Sequence, residues 1–201
     1  EGQFTLPYSA KLSSEYEIEV SYEDFPTIKA LDTVPSYGVS IKMDTLINQS
    51  SSYRLRFTLN DMEEVNNKYL LQLRSSGRLK VDLDSITTTE PAAFTSSDKL
   101  FLSNIRTVAT DNSFTIFDDV LINGQSKTVE LVISKDQFTE LGFTPQNIIL
   151  TVSSVSENMY GYYKSLLENT HIYGGPLASV PSQQSNVEQG LGVFCFYTTS
   201  I

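Results

Sequence analysis

The chain has 201 residues, and its 14 basic against 24 acidic side chains give a formal net charge of −10. That length buries a sizeable core in one large or two small domains, while the charge repels phosphate and sets nucleic acid aside as a partner. Hydrophobic residues make up 40% and charged residues 19%, the balance of a folded chain, and no apolar run approaches the roughly 18 residues that a membrane helix needs.

Eleven Tyr and eleven Phe, with many Thr, Val and Ile, favour β-structure. The single cysteine, Cys195, excludes an internal disulfide and any multi-cysteine metal site. Its neighbours Phe194 and Phe196 suit a buried thiol and disfavour the thiolate a nucleophile requires. Glu1 in place of Met fits either a clipped cytosolic chain or one whose targeting segment has been removed.

The first element is "EYEIEVSY" (15–22), where Tyr16, Ile18, Val20 and Tyr22 alternate with polar residues as in a strand with one wet face. Pro26, Pro35 and Gly38 punctuate the next stretch, which reads as an edge segment and linker. A boundary near residue 36 therefore separates residues 1–35, the end of one β-domain, from residues 36–201, the main domain. "VSIKMDTLI" (39–47) and "SYRLRFTLN" (52–60) both alternate, and an acidic loop (60–68) follows. "YLLQLRS" (69–75) and "RLKVDLDSI" (78–86) read as a hairpin turning through Ser76 and Gly77. Residues 87–99 have no usable periodicity and read as a long loop.

"FTIFDD" (114–119) and "KTVELVIS" (127–134) flank a turn marked by Asn123–Gly124, two residues that tolerate positive φ. "NIILTVSSVS" (147–156) is a strand that runs into "ENMYGYYKSLLEN". There Met159, Tyr162, Tyr163, Leu166 and Leu167 form one apolar stripe of a helix, with Ser154 or Ser156 as its cap. Gly161 costs that helix about 1 kcal/mol against Ala. A loop rich in Pro and Gly then leads to a closing strand, 193–199. Eight or more strands and one short helix imply an all-β sandwich of immunoglobulin-like or transthyretin-like type.

Chemistry is sparse. His171 is the only histidine, and neither a G-x-S-x-G elbow nor an H-E-x-x-H pair is present. Asp61, Glu63 and Glu64 share one loop and Asp118 and Asp119 another, without the spaced oxygens and central Gly of a calcium loop. No phosphate cradle or dinucleotide fingerprint occurs. The reading is therefore of a non-enzymatic protein with no cofactor and no metal. Tyr160, Tyr173 and Tyr37 are the tyrosines placed to offer contact area with a polar tip, and Asp61 and Glu64 complete the candidate contact set.

Four segments carry a family resemblance. They are "YEIEVSYEDFPTIKALDTVP" (16–35), "YRLRFTLNDMEEVNNKYLLQL" (53–73), "FDDVLINGQSKTVELVI", and the tail "VSENMYGYYKSL … SNVEQGLGVF". They resemble the strand and "A-x-x-T-x-P" exit, the "F-x-D" loop with its "N-x-Y" strand entry, the "D-x-L-I-x-G-x-x-x-T" hairpin and the closing "S-N-I-x-G-G-L-G-V-F" of DUF4249. The members of that family are exported lipoproteins of Bacteroides-like bacteria. Gln189 stands where the family often has its first glycine.

The resemblance implies export, an outer-membrane or cell-surface location, and a lipid anchor on a cysteine ahead of the segment that begins at Tyr16. Cysteine and preceding β-structure are absent here, so the chain is expected to be a fragment or processed form. The resemblance also implies work beside a TonB-dependent outer-membrane transporter, with an unknown small ligand. The rival reading is a structural or adhesive β-sandwich engaged in protein contacts, and a carboxylate-pair hydrolase is a third. Of the triplets "DTV", "DTL" and "DSI", which resemble the O-glycosylation motif of such bacteria, only Thr33 lies near a linker.

Within the tail, Gly190 and Gly192 are expected to let the backbone turn tightly before the closing strand. Asn186 is expected to brace that loop through its side-chain amide. Phe194 opens an apolar run expected to form a late, central strand.

Overall fold

Leu55, Phe57 and Leu59 are buried while Arg54 and Arg56 between them are exposed, so strand β4 (Ser52–Asp61) turns one row inward and one to water. On either side it pairs antiparallel with β3 (Val39–Asn48) and β8 (Ser126–Ser134). The cross-strand neighbours Val129, Leu131 and Ile133 are also buried, which gives this three-stranded sheet one apolar face. The computed structural model describes residues 9–36, 38–62, 66–81, 84–102, 113–169 and 184–199.

A second sheet lies across that apolar face. Its spine is β5 (Lys68–Val81), which pairs on one edge with β9 (Phe143–Val155). On its other edge it takes first β7 (Phe114–Asp118) and then β6 (Asp84–Pro91). A short β11 (Tyr197–Thr199) extends the sheet beyond β9. Tyr69, Leu71, Leu73, Phe117 and Val152 face the first sheet. Two short helices, α1 (Lys99–Leu102) and α2 (Asp136–Glu140), close the core with Phe101 and Phe138. Each fully buried Leu or Phe contributes roughly 1.5–3 kcal/mol relative to exposure. The result is an all-β sandwich.

The outer face of the second sheet is covered by α3 (Glu157–Asn169). Met159 packs there with Leu70, Ile116 and Val155 in a second, smaller cluster. The Ser156 hydroxyl caps the helix by accepting from the Met159 amide at 3.3 Å. Gly161 lies where the chain approaches closely, since a Cβ there would stand 2.1 Å from the Gln184 side chain.

A separate three-stranded sheet joins β1 (Glu15–Val20), β2 (Ile28–Thr33) and β10 (Val187–Glu188). Its strands come from both sides of residue 36, with Val187 opposite Ala30. Tyr16, Ile18, Val20, Ile28, Ala30, Asp32 and Val187 occupy cross-strand positions on one face, while Glu17, Glu19 and Lys29 form ion pairs on the other.

Four local expectations give way to the structure. Residues 87–91, read as the start of a long loop, complete β6 by pairing with β5. Gly77 is no hairpin turn: it sits inside the continuous β5, where a Cβ would stand 2.1 Å from the Thr144 carbonyl oxygen and the register with β9 shifts. A glycine in a strand marks this kind of close backbone approach as readily as a turn. Likewise, β7 and β8 are not a hairpin. They belong to opposite sheets, and a 3-10 turn over Asp119–Leu121 followed by Gly124, at φ +67°, carries the chain between them. Among the described residues the closing strand spans Tyr197–Thr199, at the edge of its sheet beside β9 and not in the centre. Residues 193–196 are spent instead on covering the small sheet, where the Phe196 ring meets Tyr16 at 5.5 Å.

Candidate functional site

At one end of the sandwich, the residues that carry the family-like motifs converge. The end of β4 brings Asp61, the entry to β5 brings Asn67 and Tyr69, and the crossing between sheets brings Asp119 and Gly124. The Tyr69 hydroxyl lies within hydrogen-bond reach of Asp61 Oδ1 and, at 2.9 Å, of the Gly38 carbonyl oxygen. Asp61 Oδ2 accepts from the Gly124 amide at 3.0 Å. Asp119, 3% exposed, accepts the Asn67 amide on Oδ2 at 2.6 Å, and its own amide donates to the Asn67 carbonyl at 3.2 Å.

Gly38 completes the cluster at the start of β3. Its amide donates to Ser154 Oγ at 3.2 Å, its carbonyl also accepts from Met62, and a Cβ would stand 2.6 Å from Asn67 Cγ. Burial first, then the hydrogen bond to Asp61, pushes the Tyr69 phenol far above its ordinary value. Every group named here has a partner inside the protein. The arrangement therefore fixes the path by which the chain enters and crosses the sandwich. Asp61, a candidate contact residue, has both carboxylate oxygens engaged in it.

A second polar bracket ties the tail to the small sheet. The Asn186 side chain spans Phe194, donating to its carbonyl at 2.7 Å and accepting its amide at 2.9 Å, and donates to the Leu31 carbonyl at 3.0 Å. Beside it, Asp32 is 5% exposed and accepts from the Phe196 amide at 2.8 Å and from Asn158 of α3 at 2.8 Å. The loop between reverses at Gln189, φ +58°, and Gly192, φ +144°. Thus Gln189 holds the left-handed conformation that favours glycine, at the position where the family often has one. A Cβ on Gly190 would stand 3.0 Å from Val187 Cγ1. Cys195 is half-buried next to this bracket, and its thiol is pushed up by burial and then by Asp32.

The other candidates are dispersed. Tyr160 is half-buried against the α3 cluster, with Lys68 Nζ 5.2 Å from its ring centroid. Asn123 is exposed in the crossing turn, and Thr33 is exposed at the end of β2, opposite Glu15. Tyr37, Glu64, Tyr173 and His171 lie outside the described residues. Among the described residues no group of three or more His, Cys, Asp or Glu side chains is arranged to hold a metal ion.

Sequence reasoning missed Asp32, although a signal existed: in "IKALDT" it shares the inward face with Ile28 and Ala30, a polar residue in an apolar row. It also missed Asn67 and Tyr69, and weighed Asp119 only as half of a carboxylate pair; the three meet only through the fold.

The fold and these brackets define an all-β sandwich with a smaller sheet tied to it by polar residues, the buried Asp32 among them. The chain belongs to the family described as a domain of unknown function (DUF4249), whose model matches residues 2–200. No curated protein and no solved structure matches it.

Proposed function

We propose that this protein is a non-enzymatic, exported module, lipid-anchored at the outer membrane in its full-length form, that works beside a TonB-dependent transporter. The observation that carries a protein-contact role is the apolar end of the small sheet. Phe25 is 69% exposed, Tyr22 64% and Leu191 97%, beside the partly exposed Ile18 and Val20. Contiguous exposed apolar side chains mark interaction surfaces. Exposed Glu23 and Asp24 accompany them in the same turn, while Glu17, Glu19 and Glu188 are exposed on the opposite face of the sheet. Export, lipid anchoring and the transporter rest on the family resemblance.

The test is purification of the tagged full-length protein from its native outer membrane in mild detergent, with mass spectrometry of what accompanies it. Stoichiometric recovery of a TonB-dependent barrel is the expected result. Recovery of the protein alone, or only with copies of itself, contradicts the transporter role.

A structural or adhesive role is the second reading, favoured by β3. Among the described residues this ten-residue strand has β4 as its only strand partner, and Met43, Leu46 and Ile47 on it are about half exposed. A long open edge invites pairing with another chain. Concentration-dependent association in sedimentation experiments would support that role.

A further inference from the structure

On the flank of the sandwich, a groove of about 350 Å³ runs between β4, β8 and the segment that enters α1. Its lining includes Arg56, Asp98, Lys99, Lys127, Thr128 and Glu130. Its charge opposes that of the whole molecule. The chain carries −10, yet here three cations, Arg56, Lys99 and Lys127, face two carboxylates, Asp98 and Glu130.

The walls are held by the protein's own bonds. Thr95 and Val132 exchange backbone hydrogen bonds of 2.8 and 2.9 Å, and Ser96 Oγ donates to the Glu130 carbonyl at 2.7 Å, so the segment is pinned to β8. Asp98 accepts the Leu100 amide at 2.8 Å and stands 3.0 Å from Lys127 Nζ. Glu130 is held by Arg54 and Arg56, each at 3.0 Å. No described carboxylate pairs with Lys99. Such prior ordering reduces the entropy that a ligand must overcome.

The lining decides the ligand class. It contains no aromatic ring, and its one apolar residue, Val129, is 1% exposed, so nothing offers a stacking or greasy surface. What remains is positive charge for one anionic group, with hydroxyls and carboxylates for several ligand hydroxyls. The volume is near the lower end of the roughly 300–1,000 Å³ of small-molecule sites, and suits a single ring. We propose that this groove binds a small carboxylated polyol of the hexuronate type, its carboxylate on Arg56 and Lys99 and its hydroxyls on Asp98, Thr128 and Glu130. The groove uses β4, β8 and the entry to α1, whereas the partner contact proposed above uses β1, β2 and β10, so either reading can fail alone.

The experiment is a titration of the whole chain followed by amide NMR, with sodium glucuronate, glucose and inorganic phosphate as separate probes. Glucuronate is expected to shift the amides of Ser97, Lys99, Thr128 and Glu130 saturably, with a Kd of about 1 mM or tighter. Glucose is expected to bind at least about tenfold more weakly, and Lys99→Gln or Arg56→Gln to weaken glucuronate by roughly tenfold each, the loss of one charge-assisted contact. Lys99 is exposed and outside any described ion pair, so Lys99→Gln leaves the fold intact and serves as the decisive variant. Absence of a saturable shift, equal binding of phosphate, or an unchanged affinity in Lys99→Gln would each overturn the proposal.

Discussion

Two sheets of the sandwich face each other through Phe57, Leu71 and Leu131, none of which is exposed by more than 1%. Within β1, β2 and β10, by contrast, only Ala30 and Asp32 are buried, and Ile18, Val20 and Leu31 remain 41, 44 and 45% exposed. The sandwich is held by apolar area, and the small sheet by a few polar ties: the buried Asp32 to Phe196 and Asn158, and the half-buried Asn186 to Leu31 and Phe194. Area is non-directional and spread over many side chains. A polar tie is directional, and its loss leaves a buried partner unsatisfied. The small sheet is therefore the part expected to open first, below the free energy of global unfolding.

The largest effect should come from the sandwich. Phe57→Ala is expected to cost about 3–5 kcal/mol in denaturant unfolding, because a cavity replaces a ring with no exposed surface. Asp32→Ala should cost less overall, about 1–3 kcal/mol, by stranding the Phe196 amide and leaving the Asn158 side chain with only its bond to the Leu31 carbonyl. Its signature is regional: hydrogen exchange should quicken across 15–33 while β4 stays protected. Equal loss of protection in β4 would mean that the two regions unfold as one unit and would remove the contrast.

A pH effect follows from Tyr69. Its folded pKa is raised above the ordinary value of 10.0, so in the unfolded chain the phenol ionises first as pH rises. The stability this contributes is fully present below about pH 10 and falls as pH climbs beyond it. Tyr69→Phe should flatten the alkaline limb of a stability-versus-pH curve, and an unchanged limb would show that Tyr69 does not control it. The smallest effect concerns Cys195: its raised pKa predicts slower alkylation by iodoacetamide at neutral pH than a free cysteine shows.

Period-two patterning made β1, β3 and β4 legible, and the apolar stripe made α3 legible, because each is a local signal. Pairing was less accessible. Nothing between residues 114 and 134 reveals that β7 and β8 join opposite sheets, since that choice is made by contacts with β5 and β4. Gly77 carried a turn signal, yet its need for glycine arises from Thr144, far along the chain. Asp61 was visible only as an isolated acid, because its partners Tyr69 and Gly124 arrive by separate routes. The tail misled for a related reason: its apolar residues bury against Tyr16 and one another over the small sheet, without forming a strand until Tyr197.

The central claim, that the small sheet's apolar end meets a transporter, is tested most directly by placing a photo-crosslinking residue at Phe25 in the full-length protein. A control at Thr58 reports from the polar outer face of the sandwich. In the native outer membrane the account predicts an adduct with a TonB-dependent barrel from position 25 and none from position 58. No barrel adduct from position 25, or equal adducts from both positions, would contradict it.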